Sequence, residues 1–311
     1  MENTTMENTR TKTTRNSLIL LLTAAIWGMA FVSQSKGMDY MHPFTFNGVR
    51  SLIGAASILV YILISRKIAG DKAAPLDWKL NVKAGLLCGI FLTIASTLQQ
   101  FGIKYTSVGK AGFITTLYII FVPMFGIFLK KKVAPVVWAA AVMAAVGMYL
   151  LCMTESLRLG AGDIMVFLCA IAFAIQIMTV DHYAARIDGA VVSCIQFTVC
   201  GVVCCIGALI WGQPTFGQLQ EGLGALLYAG VLSCGVGYTL QIVGQKGLNP
   251  TVAALIMSLE SVIATISGWI AYKIGFLTTD QTLTARQIAG CVIVFAAVIL
   301  VQLPPEWFRF G

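Results

Sequence analysis

Residues 97–131 read TLQQFGIKYTSVGKAGFITTLYIIFVPMFGIFLKK, and residues 239–273 read TLQIVGQKGLNPTVAALIMSLESVIATISGWIAYK. Laid over each other at an offset of 142, they pair Thr97-Leu98-Gln99 with Thr239-Leu240-Gln241, Lys104 with Lys246, Ala111 with Ala253, Leu117 with Leu259 and Lys131 with Lys273. Upstream, residues 24–29 lie against 170–175, which sets Trp27 opposite Phe173, and the small pair Gly85 and Gly89 matches Ala225 and Ala229. The chain therefore reads as two copies of one unit.

Composition says what kind of unit. Hydrophobic residues make up 58% of the chain and charged residues 11%, with a mean hydropathy of +0.85. A soluble domain carries roughly 25% charged residues, so a soluble core of this length would lack the charge to cover its surface. The expected membrane spans are 17–35, 43–65, 82–103, 108–129, 135–153, 162–181, 190–211, 222–244, 251–273 and 287–303, each near the roughly 20 residues that cross hydrocarbon. Turn and charge signals separate them, among them Lys36-Gly37, Lys130-Lys131-Lys132, Asn249-Pro250 and the stretches 66–83, 158–163, 186–189 and 280–286. The fold class expected is an all-α integral membrane protein of ten helices.

Ten spans in two copies give five per copy, and an odd number turns the second copy upside down. The expectation is two inverted repeats, 17–155 and 156–303, flanked by a polar tail over 1–16 and a short tail over 304–311. Such pairs are related by a pseudo-two-fold axis in the membrane plane and suit alternating access. With the N-terminus inside, 14 Lys and Arg residues face the cytoplasm and 6 face outward, with Arg50 left inside a span. That bias places both tails in the cytoplasm. The first 16 residues, with Arg10, Lys12 and Arg15, read as a disordered tail. The apolar run after them is too long for a signal peptide and lacks a small-x-small cleavage site.

Other chemistry is poorly represented. The net charge of +8 comes without a basic helix or aromatic-basic interleaving, so no nucleic-acid partner is expected. The nine cysteines lie in apolar stretches, no CxxC occurs, and His42 and His182 complete no metal-ligand spacing, so the thiols read as packing residues. Both histidines read as incidental. Walker A, GxGxxG, HExxH and GxSxG signatures are missing. The chain implies no cofactor, no metal, no catalytic residue and no ATP-binding subunit; its partners are membrane lipid and a small molecule, and its oligomeric state stays open.

At this point the sequence resembles the ten-helix EamA branch of the drug/metabolite transporter (DMT) superfamily, over residues 17–303. The pieces are Ala25-Ile26-Trp27-Gly28, Pro43 followed by Arg50, Lys104-Tyr105-Thr106-Ser107 leading to Ala111 and residues 115–118, Gly162-Asp163, and residues 253–260. The resemblance implies inverted five-helix repeats in a bacterial inner membrane. It also implies a central cavity lined by the first, third, fourth, sixth, eighth and ninth helices, and secondary or facilitative movement of a small metabolite. Two departures are Ser261, where such helices often carry proline, and Lys130-Lys131-Lys132, where a glutamate is common.

Polar side chains inside spans supply the candidate site, since they are costly in lipid. Glu260, the one carboxylate well within a helix, reads either as a proton or substrate-ammonium site or as a structural glutamate between helices. Arg50 reads either as an anchor for a substrate carboxylate or as an interhelical anchor. Tyr238, Gln241 and Gln245 share one face of the eighth helix, Trp27, Phe31 and Gln34 one of the first, and Phe173 and Gln176 one of the sixth. With Gln99, Gln100 and Tyr118 these rings and amides suit an uncharged or zwitterionic solute, an amino acid or similar, moved by alternating access with export as the expected direction. Packing is the competing reading of any single ring. An integral membrane enzyme would need clustered His, Asp or Glu at one face, and a scaffold or receptor would not need paired stripes in both copies.

Overall fold

The computed structural model describes residues 2–70, 75–106, 108–129, 134–152, 160–278 and 282–302. Ser107, Lys72, the Lys130-Lys131-Lys132 run, Arg158, the 155/156 boundary, Asp280 and the 304–311 tail lie outside the described residues. Among the described residues there is no strand. The helices are α1 (Glu2–Gly37), α2 (Pro43–Ala69), α3 (Trp78–Ile103), α4 (Val108–Phe128), α5 (Pro135–Cys152), α6 (Ala161–Tyr183), α7 (Gly189–Gly212), α8 (Leu223–Gln245), α9 (Pro250–Lys273) and α10 (Ala285–Gln302), with a short helix Phe216–Glu221 before α8. Eight have the length and hydropathy of membrane spans, and α5 and α10 contain shorter apolar helices.

Local chemistry sets the helix ends. Asp77 Oδ1 accepts the Leu80 N–H at 3.0 Å, so α3 starts at Trp78, four residues ahead of the expected span. Asp188 Oδ1 caps α7 through Ala190 and Val191, and Asn249 Oδ1 caps α9 with Pro250 in its first turn. His42 Nδ1 accepts the Phe44 N–H at 3.4 Å at the start of α2. That corrects the reading of His42 as incidental. The polar tail is corrected too, since helix runs from Glu2 and not from residue 17. Once a long apolar helix has formed, each added residue gains a backbone hydrogen bond without a new nucleation step.

Packing repeats itself between the halves. Under the exchange of α1 with α6, α2 with α7, α3 with α8, α4 with α9 and α5 with α10, the contacts map onto each other. Helix α3 lies on α6 as α8 lies on α1, α3 on α7 as α8 on α2, and α4 on α6 as α9 on α1. The pairs α2–α7, α4–α9 and α5–α10 are their own images. One contact shows this at atomic scale. A Cβ on Gly102 would fall on Val166 Cγ2 and 2.8 Å from the Gly162 carbonyl oxygen, whereas one on Gly244 would lie 2.7 Å from Leu20 Cδ2 and 3.2 Å from the Asn16 carbonyl oxygen. The two glycines are 142 residues apart, and both partner pairs are 146 apart. In lipid no hydrophobic force drives helices together, so close approach at small residues carries the association.

Both central helices are broken. Helix α4 is interrupted at Leu117 and α9 at Ser258, one residue from the equivalent position. Ser258 donates its hydroxyl to the Leu255 carbonyl at 2.7 Å and Thr116 donates to Phe113 at 2.9 Å, the kind of side-chain bond that satisfies backbone freed by a break. The α9 break forms although Ser261 stands where proline is common. In α8 the Tyr228–Gly237 stretch is π-helical, which widens the turn at Gly235-Val236-Gly237. A Cβ on Gly237 would lie 2.6 Å from Trp27 Nε1, so the glycine leaves room for that indole.

Candidate functional site

The breaks and the π-helical turn surround a cavity at mid-helix depth. In this conformation it is narrow, with room for the centres of water-sized spheres over about 40 Å³. Trp27, Phe31, Arg50, Gln99, Tyr118, Phe173, Gln176, Tyr238, Gln241 and Glu260 line it together. Gln100 stands apart: it is fully buried and donates from Nε2 to the Gln34 backbone carbonyl at 3.3 Å, on the α1 side.

The first repeat contributes a guanidinium and the second a carboxyl group. Arg50, 5% exposed, donates from Nε to Asn47 Oδ1 at 3.0 Å and lies over the Phe46 ring at 5.5 Å. Among the described residues no carboxylate reaches it at ion-pair distance; the ion pairs there are Lys36–Asp39 and Lys110–Asp163. Glu260 Oε1 accepts the Tyr118 hydroxyl at 3.0 Å. Tyr118 and Glu260 are themselves 142 residues apart. Each therefore occupies the other's equivalent position, and their hydrogen bond crosses the pseudo-two-fold axis.

Rings and amides complete the lining. The Trp27 indole N–H donates to the Ser233 carbonyl at 3.4 Å, and its ring lies 4.5 Å from that of Tyr238, which meets Phe197 edge-on at 4.9 Å. Gln99 donates to Thr115 Oγ1 at 3.2 Å, and its counterpart Gln241 donates to Gln176 Oε1 at 3.2 Å. The buried amide oxygens of Gln34 and Gln241 have no hydrogen-bond partner. Buried polar atoms are normally paired, and both residues line the cavity.

Asn47, Ser96 and Thr115 also line the cavity, and the sequence reading did not select them as site residues. Each precedes a selected residue (Arg50, Gln99 and Tyr118) by three positions, which puts it on the same helix face. Leu92, Ile177, Phe197 and Cys234 also line it, as apolar wall without a polar signature.

A polytopic helical fold with a polar cavity between two inverted copies defines a membrane transporter, and comparison with known proteins agrees. The chain belongs to the EamA-like transporter family, whose model matches residues 15–153 and again 160–303. An uncharacterized transporter of Archaeoglobus fulgidus is 27% identical over 290 residues, 91% of this chain and 84% of the relative. The uncharacterized transporter YwfM of Bacillus subtilis is 24% identical, over 93% of this chain and 94% of its own length. A solved structure described only as a protein crystal structure superposes with a TM-score of 0.73 over 95% of this chain and 99% of its own, at 16% identity, which supports the fold alone.

Proposed function

We propose that the protein is a secondary or facilitative exporter of a small zwitterionic metabolite, an amino acid or a similar amphipathic solute, working by alternating access from the central cavity. The observation that carries the reading is Arg50, the one buried cation among the described residues and without an acidic partner among them, in a cavity that also holds the carboxyl group of Glu260. A guanidinium matches a carboxylate by paired N–H donors. Glu260, with the open amide oxygens of Gln34 and Gln241, offers acceptors for an ammonium group. Trp27, Phe31, Phe173 and Tyr238 then cover the apolar part of the solute. The membrane proposed is a bacterial inner membrane with both termini cytoplasmic, a sidedness the positive-charge bias supports.

A metabolite-library thermal-shift screen on purified protein, followed by liposome uptake of the stabilising compounds, tests this. Zwitterions should stabilise and be taken up; stabilisation confined to compounds lacking either charge would contradict the reading. Uptake compared in right-side-out and inside-out vesicles gives the direction. Reporter fusions at Gly160 and Gly311 should fall on opposite sides of the membrane, and the same side would remove the inverted arrangement.

A further inference from the structure

A second space lies on the far side of α4 from the cavity. Phe113, Leu117 and Ile120 of α4 and Trp138, Val142 and Tyr149 of α5 border a groove of about 420 Å³ whose lining is wholly apolar. The equivalent positions on α9 are Leu255, Leu259 and Val262, all buried by the protein itself. Their counterparts Phe113, Leu117 and Ile120 are only half-buried, and Val142 on the facing helix is 60% exposed. The first repeat thus leaves uncovered a face that the second covers with its own side chains.

The groove runs along α5 from Trp138 to Tyr149, eleven residues or about 16 Å of helix. That is about half the ~30 Å hydrocarbon thickness, the depth of one leaflet. At its Tyr149 end stands exposed Arg286, whose guanidinium carbon lies 5.3 Å from the Tyr149 ring centroid. Among the described residues Arg286 has no carboxylate at ion-pair distance. An apolar trough one leaflet deep with a cation at its interfacial end has the layout of a phospholipid, acyl chain below and phosphate above.

We infer that the α4–α5 groove is a specific site for an anionic phospholipid, its acyl chain against Leu117 and Trp138 and its headgroup phosphate on Arg286. Arg forms paired hydrogen bonds to phosphate oxygens, and the net negative headgroup is the chemistry selected by a cation that has no carboxylate partner among the described residues. The chain would press on Leu117, where α4 breaks, one residue before Tyr118 and its bond to Glu260. This site is independent of the proposed solute.

Trp138 makes occupancy measurable, because brominated acyl chains quench tryptophan fluorescence on contact. The protein is reconstituted with increasing mole fractions of dibrominated phosphatidylglycerol or dibrominated phosphatidylcholine, and Trp138→Phe isolates the signal of the groove. The Trp138 component should half-quench at about fivefold lower phosphatidylglycerol than phosphatidylcholine, the preference one basic side chain supports at a membrane surface. Arg286→Gln should abolish that preference. Ala145 also lines the groove on α5, so Ala145→Phe should fill the trough and reduce quenching by both lipids. Equal quenching by the two lipids, or a preference unchanged in Arg286→Gln, would overturn the inference and leave ordinary boundary lipid. Absence of Trp138 quenching in a protein of twice the monomer mass would overturn it too, in favour of a second copy over the groove.

Discussion

Residues 102 and 244 are both glycine, and each admits the same kind of neighbour, α6 against the first and α1 against the second. Residues 27 and 173, which the repeat sets opposite each other, are Trp and Phe, and residues 118 and 260 are Tyr and Glu. The two repeats agree where helices pack and at the cavity pair Gln99 and Gln241, and differ at other side chains that reach the cavity. Packing must work in both copies because each contact has an image. A solute with two unlike ends needs the opposite, a cavity whose two halves offer unlike groups. A third difference lies at the helix ends, where Asp163 of α6 accepts from Lys110 Nζ at 2.5 Å and from Thr106 at 2.8 Å. The equivalents of Asp163 and Lys110 are Ser17 and Val252, which carry no charge.

The largest effect expected from breaking this comparison is at that ion pair. Asp163→Ser gives α6 the residue its counterpart has, removes the acceptor of a 3%-exposed carboxylate site and leaves Lys110 without it. Loss of a partly buried, charge-assisted hydrogen-bonded pair costs roughly 1.5–3 kcal/mol, so unfolding in detergent should begin at a lower denaturant concentration. A variant as stable as the wild type would mean that the asymmetry is ornamental. Next come Gly102→Leu and Gly244→Leu, each forcing a side chain into a neighbouring helix at about 1–3 kcal/mol. Their losses should be similar; one harmful and one neutral substitution would argue against equivalent packing. Tyr118→Phe removes only the hydrogen bond across the axis and should cost about 0.6 kcal/mol, the average for such bonds between membrane helices.

The smallest effect concerns His42 in the α1–α2 loop. Burial, and after it the charge of Lys104, holds its imidazole below the ordinary histidine range. The folded protein therefore favours the neutral ring whose Nδ1 accepts from Phe44. The sign follows: the contribution is present above the unfolded value near 6.5 and is lost as pH falls through the lower folded value. Amide exchange at Phe44 should quicken on acidification, and an exchange rate independent of His42 ionisation would contradict the cap.

Much of this was legible in the sequence because it follows from periodicity. Apolar runs located the helices, and the constant offset located the repeat. The ring and amide stripes converge because side chains three or four residues apart share a helix face. Gln100 shows the limit, since adjacent residues on a helix point roughly 100° apart and only one of Gln99 and Gln100 can face the cavity. The break at Ser258 was hidden because serine has no fixed backbone preference of proline's kind. The His42 cap depends on one rotamer, and the α4–α5 groove on which equivalent positions remain uncovered. Neither leaves a periodic trace.

The central claim is that Arg50 and Glu260 hold opposite ends of one solute. The direct measurement is calorimetric binding of the best zwitterion from the stability screen, beside its methyl ester and its N-acetyl derivative, to the wild type, Arg50→Gln and Glu260→Gln. Arg50→Gln should weaken the parent by at least about 2 kcal/mol, the loss seen when one member of a buried charge pair is removed, yet leave the already weak ester unchanged. Glu260→Gln should do the same for the parent and spare the N-acetyl compound. If ester and N-acetyl derivative bind the wild type as tightly as the parent, neither charge is read in the cavity and the account is wrong.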